Sequence, residues 1–364
     1  MKKGQNEGTH RIRKDGIHEW RISIDGTQKS FYANTKLKAQ EKAQEFILAK
    51  ASGLDVSRNS SIKELAEKFL QIKENTVSPK TFESYESMIR LYILPSLKNV
   101  KLSDLTTDRC QTLINSLISQ GVSSSNIIKM NGILVRLLNY SIKLNYISRN
   151  AAIYVELPKH QIKEMNPFST EELSIFLDNA KEDEHFALWH LLALTGMRVG
   201  ESLALEWKDL DLETRELTIS KSHDDKYGTG ETKSRKTRRI VLSEETIEIL
   251  KTHQAAQLEK LLNKPDYYQN NDLIFASSVG TQLHRKNIDK RNFKKITGVG
   301  DRTIHQLRHT FASLSLAAGI DVVTVSHYLG HVNPNVTLSK YSHFMPKDSV
   351  NPATVLANLL EEKS

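Results

Sequence analysis

Six side chains in this sequence have the types and order needed to attack a phosphodiester without a metal: Arg198, Lys233, His305, Arg308, His331 and Tyr341. Attack at phosphorus builds negative charge on the non-bridging oxygens. Guanidiniums match those oxygens in bidentate geometry and keep their charge, which suits Arg198 and Arg308. A phenol ionises near pH 10, at about pKa 10, and is a poor nucleophile at neutral pH. Beside a phosphate gripped by two arginines its anion is stabilised, and an imidazole can take its proton, so Tyr341 can attack. The departing oxygen needs a proton, which the ammonium of Lys233 can deliver from a basic loop. A covalent intermediate conserves bond energy, so rejoining needs no nucleotide. The sequence carries no Walker-type glycine-lysine loop and no acidic metal cluster, and no cofactor is expected.

The elements that must position these groups can be read locally. Arg198 follows a Thr195-Gly196 break after a nearly all-apolar helix, Phe186 to Leu194. Glu201, one turn on, can fix that arginine or simply favour a helix N-terminus. Lys233 lies in a basic loop between strands at 217–219 and 239–242, with Leu273-Ile274-Phe275 reading as a third strand. A helix opens at about Thr303. Its residues Ile304, Leu307, Phe311 and Leu314 face a core, and His305 and Arg308 share the neighbouring face. Gly319 ends that helix, Asp321 caps the next, and Gly330 stops it so that His331 sits at its exit. Asn333-Pro334-Asn335 turns the chain into a last short helix bearing Tyr341. His305 and His309 have zinc-like spacing, but no Glu follows His305 and no third acidic ligand is evident. His309 therefore reads as a hydrogen-bonded histidine near the site, and Tyr328, a rival phenol, reads as packing.

Bulk properties agree with an anionic partner. The chain has 364 residues, 51 Lys and Arg against 43 Asp and Glu, and a net charge of +8. Residues 221–239 hold seven basic and three acidic side chains, and residues 285–295 hold six and one, where a solvated face would mix signs. One cysteine, Cys110, excludes an internal disulfide or a cysteine zinc cage. No secretory signal and no membrane-length apolar run are visible, so a cytoplasmic protein with no membrane partner is expected.

Three units and a tail follow along the chain. Residues 1–58 read as a small α+β module, open to a DNA-binding arm or a generic fold: a strand at His18 to Ile24, an Asp25-Gly26 turn, a returning strand, then a helix capped by Thr35 with Ala39, Ala43, Phe46 and Ile47 on one face. Residues 61–158 read as a helical bundle. Ser61 and Glu64 form a capping box ahead of Leu65, Phe69 and Ile72; Ser78-Pro79 starts a helix that runs to Pro95; two more span 105–117 and 123–144. Lys129, Arg136 and Lys143, seven apart, can meet phosphates along one face. A polar connector at 159–167 leads to a mixed α/β unit at 168–350, and an amphipathic tail, 351–364, follows. The class is multidomain, mainly α with small β-sheets.

On the Thr-Gly-x-Arg-x-x-Glu, Thr-Lys-Ser, His-x-x-Arg, Leu-Gly-His and Tyr motifs, in this order, the chain resembles the tyrosine recombinases of the phage-integrase family. The resemblance implies that Tyr341 forms a 3′-phosphotyrosyl link and frees a 5′-hydroxyl, with Lys233 as general acid. It assigns His305 to the nucleophile's proton and His331 to a hydrogen bond on the scissile phosphate. It further implies an arm-site module, a core-binding domain and a catalytic domain, working as a homo-tetramer on double-stranded DNA attachment sites through a four-way junction. A host DNA-bending protein and an excision factor would be further partners, and the tail would dock on a neighbour or on its own domain. Two other readings stay open: a DNA-binding regulator, because residues 317–329 resemble a helix-turn-helix, and a type IB topoisomerase, which shares the tyrosine chemistry.

Overall fold

The strand His18–Ile24 (β2), with Glu19 and Ile22 buried, is the centre of a three-stranded antiparallel sheet. Its neighbours are β1 (Thr9–Ile12) and β3 (Thr27–Ala33), the latter paired in register from His18 with Ala33 to Ile24 with Thr27. Helix α1 (Lys36–Ala51) lays Ala39 and Ala43 on this sheet, and its Phe46 ring meets Phe31 at 5.3 Å. The computed structural model describes residues 8–24, 26–51, 60–159, 165–232, 236–263, 265–296, 298–346 and 360. Two compact units divide the chain, Met1–Ile162 and Lys163–Ser364.

The helical part of the first unit begins with α2 (Ile62–Glu74), whose Ser61 and Glu64 form the expected capping box. Leu65 and Phe69 are buried, but Ile72 is 45% exposed and falls outside the apolar face expected for it. Helix α3 (Pro79–Met88) does not stop at Pro95. A π-turn at Ile89–Ile93 widens the coil, and Pro95 then lies in the first turn of α4 (Leu94–Leu97). The Leu94 N–H reaches back five residues to the Ile89 carbonyl, and Pro95, which has no N–H to donate, follows where the coil is widened. Helices α5 (Thr107–Ser119) and α6 (Ser124–Lys143) complete the bundle around Cys110, Ile114, Met130 and Leu137. Lys129, Arg136 and Lys143 all lie exposed on α6.

In the second unit, α7 (Thr170–Ala180) starts from a Ser169–Glu172 capping box and packs on α8 (Phe186–Thr195), which is buried on all sides. A helix apolar all round has no solvent face, so it forms the axis of this core. Short helix α9 (Val199–Ser202) leads to strands β4 (Leu210–Asp211), β5 (Glu216–Ile219), β6 (Lys221–Asp224), β7 (Gly228–Glu231) and β8 (Arg238–Val241). They form an antiparallel sheet, β4-β5-β8, and a separate β6-β7 hairpin. Leu273–Phe275 is not a third strand: one isolated bridge joins Leu273 to Glu206. The Ile274 carbonyl accepts from His253 Nε2 and Gln257 Nε2, both 2.8 Å away on α10 (Glu244–Asn263), so it is taken from any ladder. Helices α11 (Arg285–Arg291), α12 (Ile304–Ala317), α13 (Val322–Leu329) and α14 (Asn335–Tyr341) finish the described fold. Among the described residues no helix is long and apolar enough to cross a membrane. The tail 351–364, apart from Leu360, lies outside the described residues.

Candidate active site

The C-terminal end of α8 sets the first anchor. Gly196 takes the left-handed conformation, φ 60°, and a Cβ there would lie 2.4 Å from Cδ1 of Phe311. Its carbonyl accepts a 2.8 Å hydrogen bond from Arg308 Nη1. Two residues later Arg198 is the N-cap of α9. Its backbone N–H donates to Glu201 Oε2 at 3.0 Å and its Nη1 to Glu201 Oε1 at 2.8 Å. Glu201 thus fixes the arginine, one of the two roles open to it. Arg198 keeps 28% of its side chain exposed while Glu201 keeps 1%.

Glu201 also accepts a 2.6 Å bond from Arg238 Nη2 on β8. Arg238 Nε donates to the Tyr328 carbonyl at 3.1 Å, and its Nη1 is buried beneath Gly330 with no hydrogen-bond partner among the described residues. One carboxylate therefore joins two guanidiniums from distant strands of sequence. Burial pushes the Glu201 carboxyl up, but the hydrogen bond and charge of Arg238, with the Arg198 backbone N–H and charge, outweigh it and hold the group below its ordinary value. Within the basic stretch 221–239, Arg238 did not stand out as a site residue. The missed signal was alternation: Arg238 and Ile240 are buried on β8 while Arg239 and Val241 are exposed.

Helix α12 carries three polar groups that part ways. Arg308 is 4% exposed and turned inward; besides Gly196 it donates from Nη2 to His331 Nε2 at 2.8 Å. Burial first, then the charge of Arg198, pushes Arg308 down to about 9, still cationic at neutral pH. His305 instead lies exposed at the rim and makes no hydrogen bond to another described residue. It meets His309 edge-on, ring centroids 4.7 Å apart. Although solvent reaches its side chain, desolvation of the ring by the surrounding chain, then His309, Arg308, Arg285 and Lys340, hold His305 below its ordinary value. His309 is partly buried, and its Nδ1 lies 2.5 Å from the Tyr341 hydroxyl.

The end of α13 places His331. Gly330 N–H bonds to the His327 carbonyl and His331 N–H to the Ser326 carbonyl, the paired bonds of a Schellman stop with glycine at φ 65°. His331 Nδ1 lies 2.8 Å from Thr337 Oγ1 on α14. Because Arg308 can only donate, His331 Nε2 accepts and Nδ1 carries the proton toward Thr337. Burial first, then Arg308 and Arg198, pushes His331 down to about 4, consistent with that neutral ring.

Tyr341 closes α14 and is 1% exposed, packed with Ala312, Leu316, Val325 and Leu329. Burial raises its phenol and Arg308 partly offsets this. Its oxygen is not sealed in hydrocarbon, since His309 meets it. Of the six sequence-derived residues, Arg308 and His331 are in direct contact, Arg198 lies two residues beyond the Gly196 whose carbonyl Arg308 holds, Tyr341 meets His309 beside Arg308, and His305 makes no hydrogen bond to the others. Lys233 lies outside the described residues. Tyr328 donates to the Val241 carbonyl at 3.1 Å, as expected of a packing residue. Among the described residues no group of three His, Cys, Asp or Glu is arranged to hold a metal ion.

Against known proteins, the phage integrase family matches residues 156–347, and the phage integrase N-terminal SAM-like domain matches residues 61–118. This chain belongs to the phage integrase family. A tyrosine recombinase XerC-like protein of Caldanaerobacter subterraneus subsp. tengcongensis is 31% identical to this integrase-family chain over 361 residues, covering 91% of this chain and 92% of its own. The ICEBs1 integrase of Bacillus subtilis is 25% identical and covers 84% of each chain. The Tn1549 transposon integrase in complex with transposon right end DNA gives a TM-score of 0.67 at 18% identity, covering 84% of this chain and 100% of that one. A lambda integrase tetramer bound to a Holliday junction gives 0.61 at 18% identity, covering 96% and 99%. At those identities the two structures speak to the fold alone. Membership of a tyrosine recombinase family sets aside the regulator reading of 317–329, whose first helix, α12, turns Arg308 into the site.

Proposed function

We propose that this chain is a site-specific DNA recombinase, the integrase of a phage or related mobile element, acting through a 3′-phosphotyrosyl bond on Tyr341. Arg198 and Arg308 hold the scissile phosphate and stabilise the charge that develops on its oxygens. His331, joined to Arg308, completes the cradle. The Tyr341 oxygen bonds to phosphorus, the bond from phosphorus to the 5′ oxygen breaks, and Lys233 protonates that oxygen. Reversal with a new 5′-hydroxyl rejoins the strands without a nucleotide or a metal.

One observation carries the reading: Arg308 is buried yet has a guanidinium edge shared between Gly196 O and His331 Nε2, each 2.8 Å away, beside the half-open Arg198. A paired, charged fork at a partly open position is suited to an anion and does little for a core. The layout we propose is an arm module at 1–58, a core-binding domain at 61–158 with Lys129, Arg136 and Lys143 along exposed α6, a catalytic domain at 168–350 and a tail at 351–364. Duplex DNA attachment sites are the partner, with four copies assembled on two DNA segments. A host bending protein and an excision factor belong to the same proposal, as does action in the bacterial cytoplasm. The test uses a suicide DNA substrate nicked beside the cleavage point. The chain should yield a protein–DNA adduct that survives detergent and EDTA, and Tyr341→Phe should abolish it while binding persists. An adduct undiminished in that variant would overturn the assignment.

A further inference from the structure

The hydroxyl of Tyr341 has one hydrogen-bond partner among the described residues, and it is His309. His305, the residue to which resemblance assigns the phenolic proton, makes no such contact. We infer that His309, on the same helix, is the base that takes the Tyr341 proton in cleavage and returns it in rejoining. This rests on the recombinase reading above and changes which imidazole does the work.

Geometry supports it in three ways. The Nδ1–oxygen distance is 2.5 Å, already within proton-transfer range. The pair bridges α12 and α14, so the phenol is aimed by the helix that carries Arg308, one residue away. His305 lies edge-on to the His309 ring at 4.7 Å and 83°, which orients the ring and leaves Nδ1 to the phenol. The titratable and charged groups around the ring are His305 and Arg308 on α12 and Lys340 and Tyr341 on α14. Burial first, then Lys340 and Arg308, pushes His309 down to about 4, so at neutral pH it is the neutral ring that a phenol can donate to. A bound phosphodiester offsets the field of Arg308, the last of these causes, and so raises the basicity of the imidazole. The step balances. The O–H proton passes to Nδ1, the oxygen's electron pair bonds to phosphorus, and the 5′ oxygen leaves with a proton from the general acid. In rejoining, the imidazolium returns its proton to the departing phenolate.

The test measures adduct formation by the full chain on the nicked substrate from pH 6 to 10, with and without added imidazole. His309→Ala should bind DNA normally but cleave about 10²–10⁴-fold more slowly, the usual contribution of a general base. Imidazole should restore its rate in proportion to the free-base fraction, and should not restore His305→Ala. A rate within about threefold of the unsubstituted chain, or rescue of His305→Ala instead, would overturn the inference. If His309→Ala does not fold, His309→Gln fills the space and accepts a hydrogen bond but cannot carry a proton. Its rate should climb about tenfold per pH unit toward the phenol's own ionisation, and an unchanged profile would also overturn the inference. Absence of any adduct from the unsubstituted chain would instead defeat the recombinase reading itself.

Discussion

Replacing Glu201 by Gln removes one charge and leaves two guanidiniums, those of Arg198 and Arg238, against a neutral amide. The carboxylate is 1% exposed and bonds Arg238 at 2.6 Å and Arg198 at 2.8 Å. Gln can accept from one of them with its oxygen, but its NH₂ then opposes the other donor. The two limbs differ in weight. Arg238 is 5% exposed and has no water to fall back on, whereas Arg198 is 28% exposed and recovers part of its solvation. Breaking a buried pair by removing one partner costs about 3–5 kcal/mol, and nearly all of it falls on Arg238. For the unit Lys163–Ser364, about 200 residues long, this corresponds to a fall in Tm of roughly 6–20 °C. Calorimetric unfolding of the full chain near pH 7.5 reads that shift in the transition of this unit. The sign with pH follows from the depressed carboxyl. Its stabilisation is complete above the ordinary value of 4.5 and is lost as pH falls through the lower folded value, so the gap between the proteins should close in acid. A shift below about 3 °C, or a gap that widens as pH falls, would refute the claim that Glu201 ties these arginines together.

Gly330→Ala should cost more than Gly319→Ala. Both positions have positive φ, worth about 1–2 kcal/mol against alanine, but only at Gly330 would the new Cβ meet Arg238, 2.5 Å from Nη1, and Arg238 is pinned by Glu201 and the Tyr328 carbonyl. Equal losses in thermal unfolding would mean Arg238 yields freely. Arg308→Lys should keep DNA binding yet lower adduct formation at least about 100-fold, because one ammonium cannot serve Gly196, His331 and a phosphate in planar geometry. Near-normal cleavage would remove Arg308 from the proposed cradle. Lys233→Ala should fail on ordinary DNA and recover on a substrate whose 5′-bridging oxygen is sulfur, since a thiolate leaves without a proton. A variant equally slow on both substrates would deny Lys233 the acid role.

What could be read in advance was local. The Ser61–Glu64 box, the Asp321 cap and the glycine stops at 319 and 330 each act within four or five residues, so their sequence context defines them. The separate positions of Arg198, Arg308 and His331 were legible as a set because their order along the chain matched a family pattern. Their joins were not. The bond from Glu201 to Arg238 spans 37 residues and that from Gly196 to Arg308 spans 112, and no periodicity reports a partner so distant. Helix phase placed His305 beside Arg308, yet one is exposed and the other 4% exposed, because Arg308 follows its two acceptors inward. Pro95 and Leu273–Phe275 misled for a related reason. A π-turn shifted one out of a helix interior, and side chains of α10 took the carbonyl that the other needed for a strand.

The central claim is that the Tyr341 oxygen becomes joined to DNA. The adduct formed on a nicked substrate can be digested to peptides and nucleotides and its attachment site located by mass spectrometry. The account requires a 3′-phosphate carried by the peptide containing Tyr341. A nucleotide found on Tyr328, on any other residue, or linked through a 5′-phosphate would contradict it.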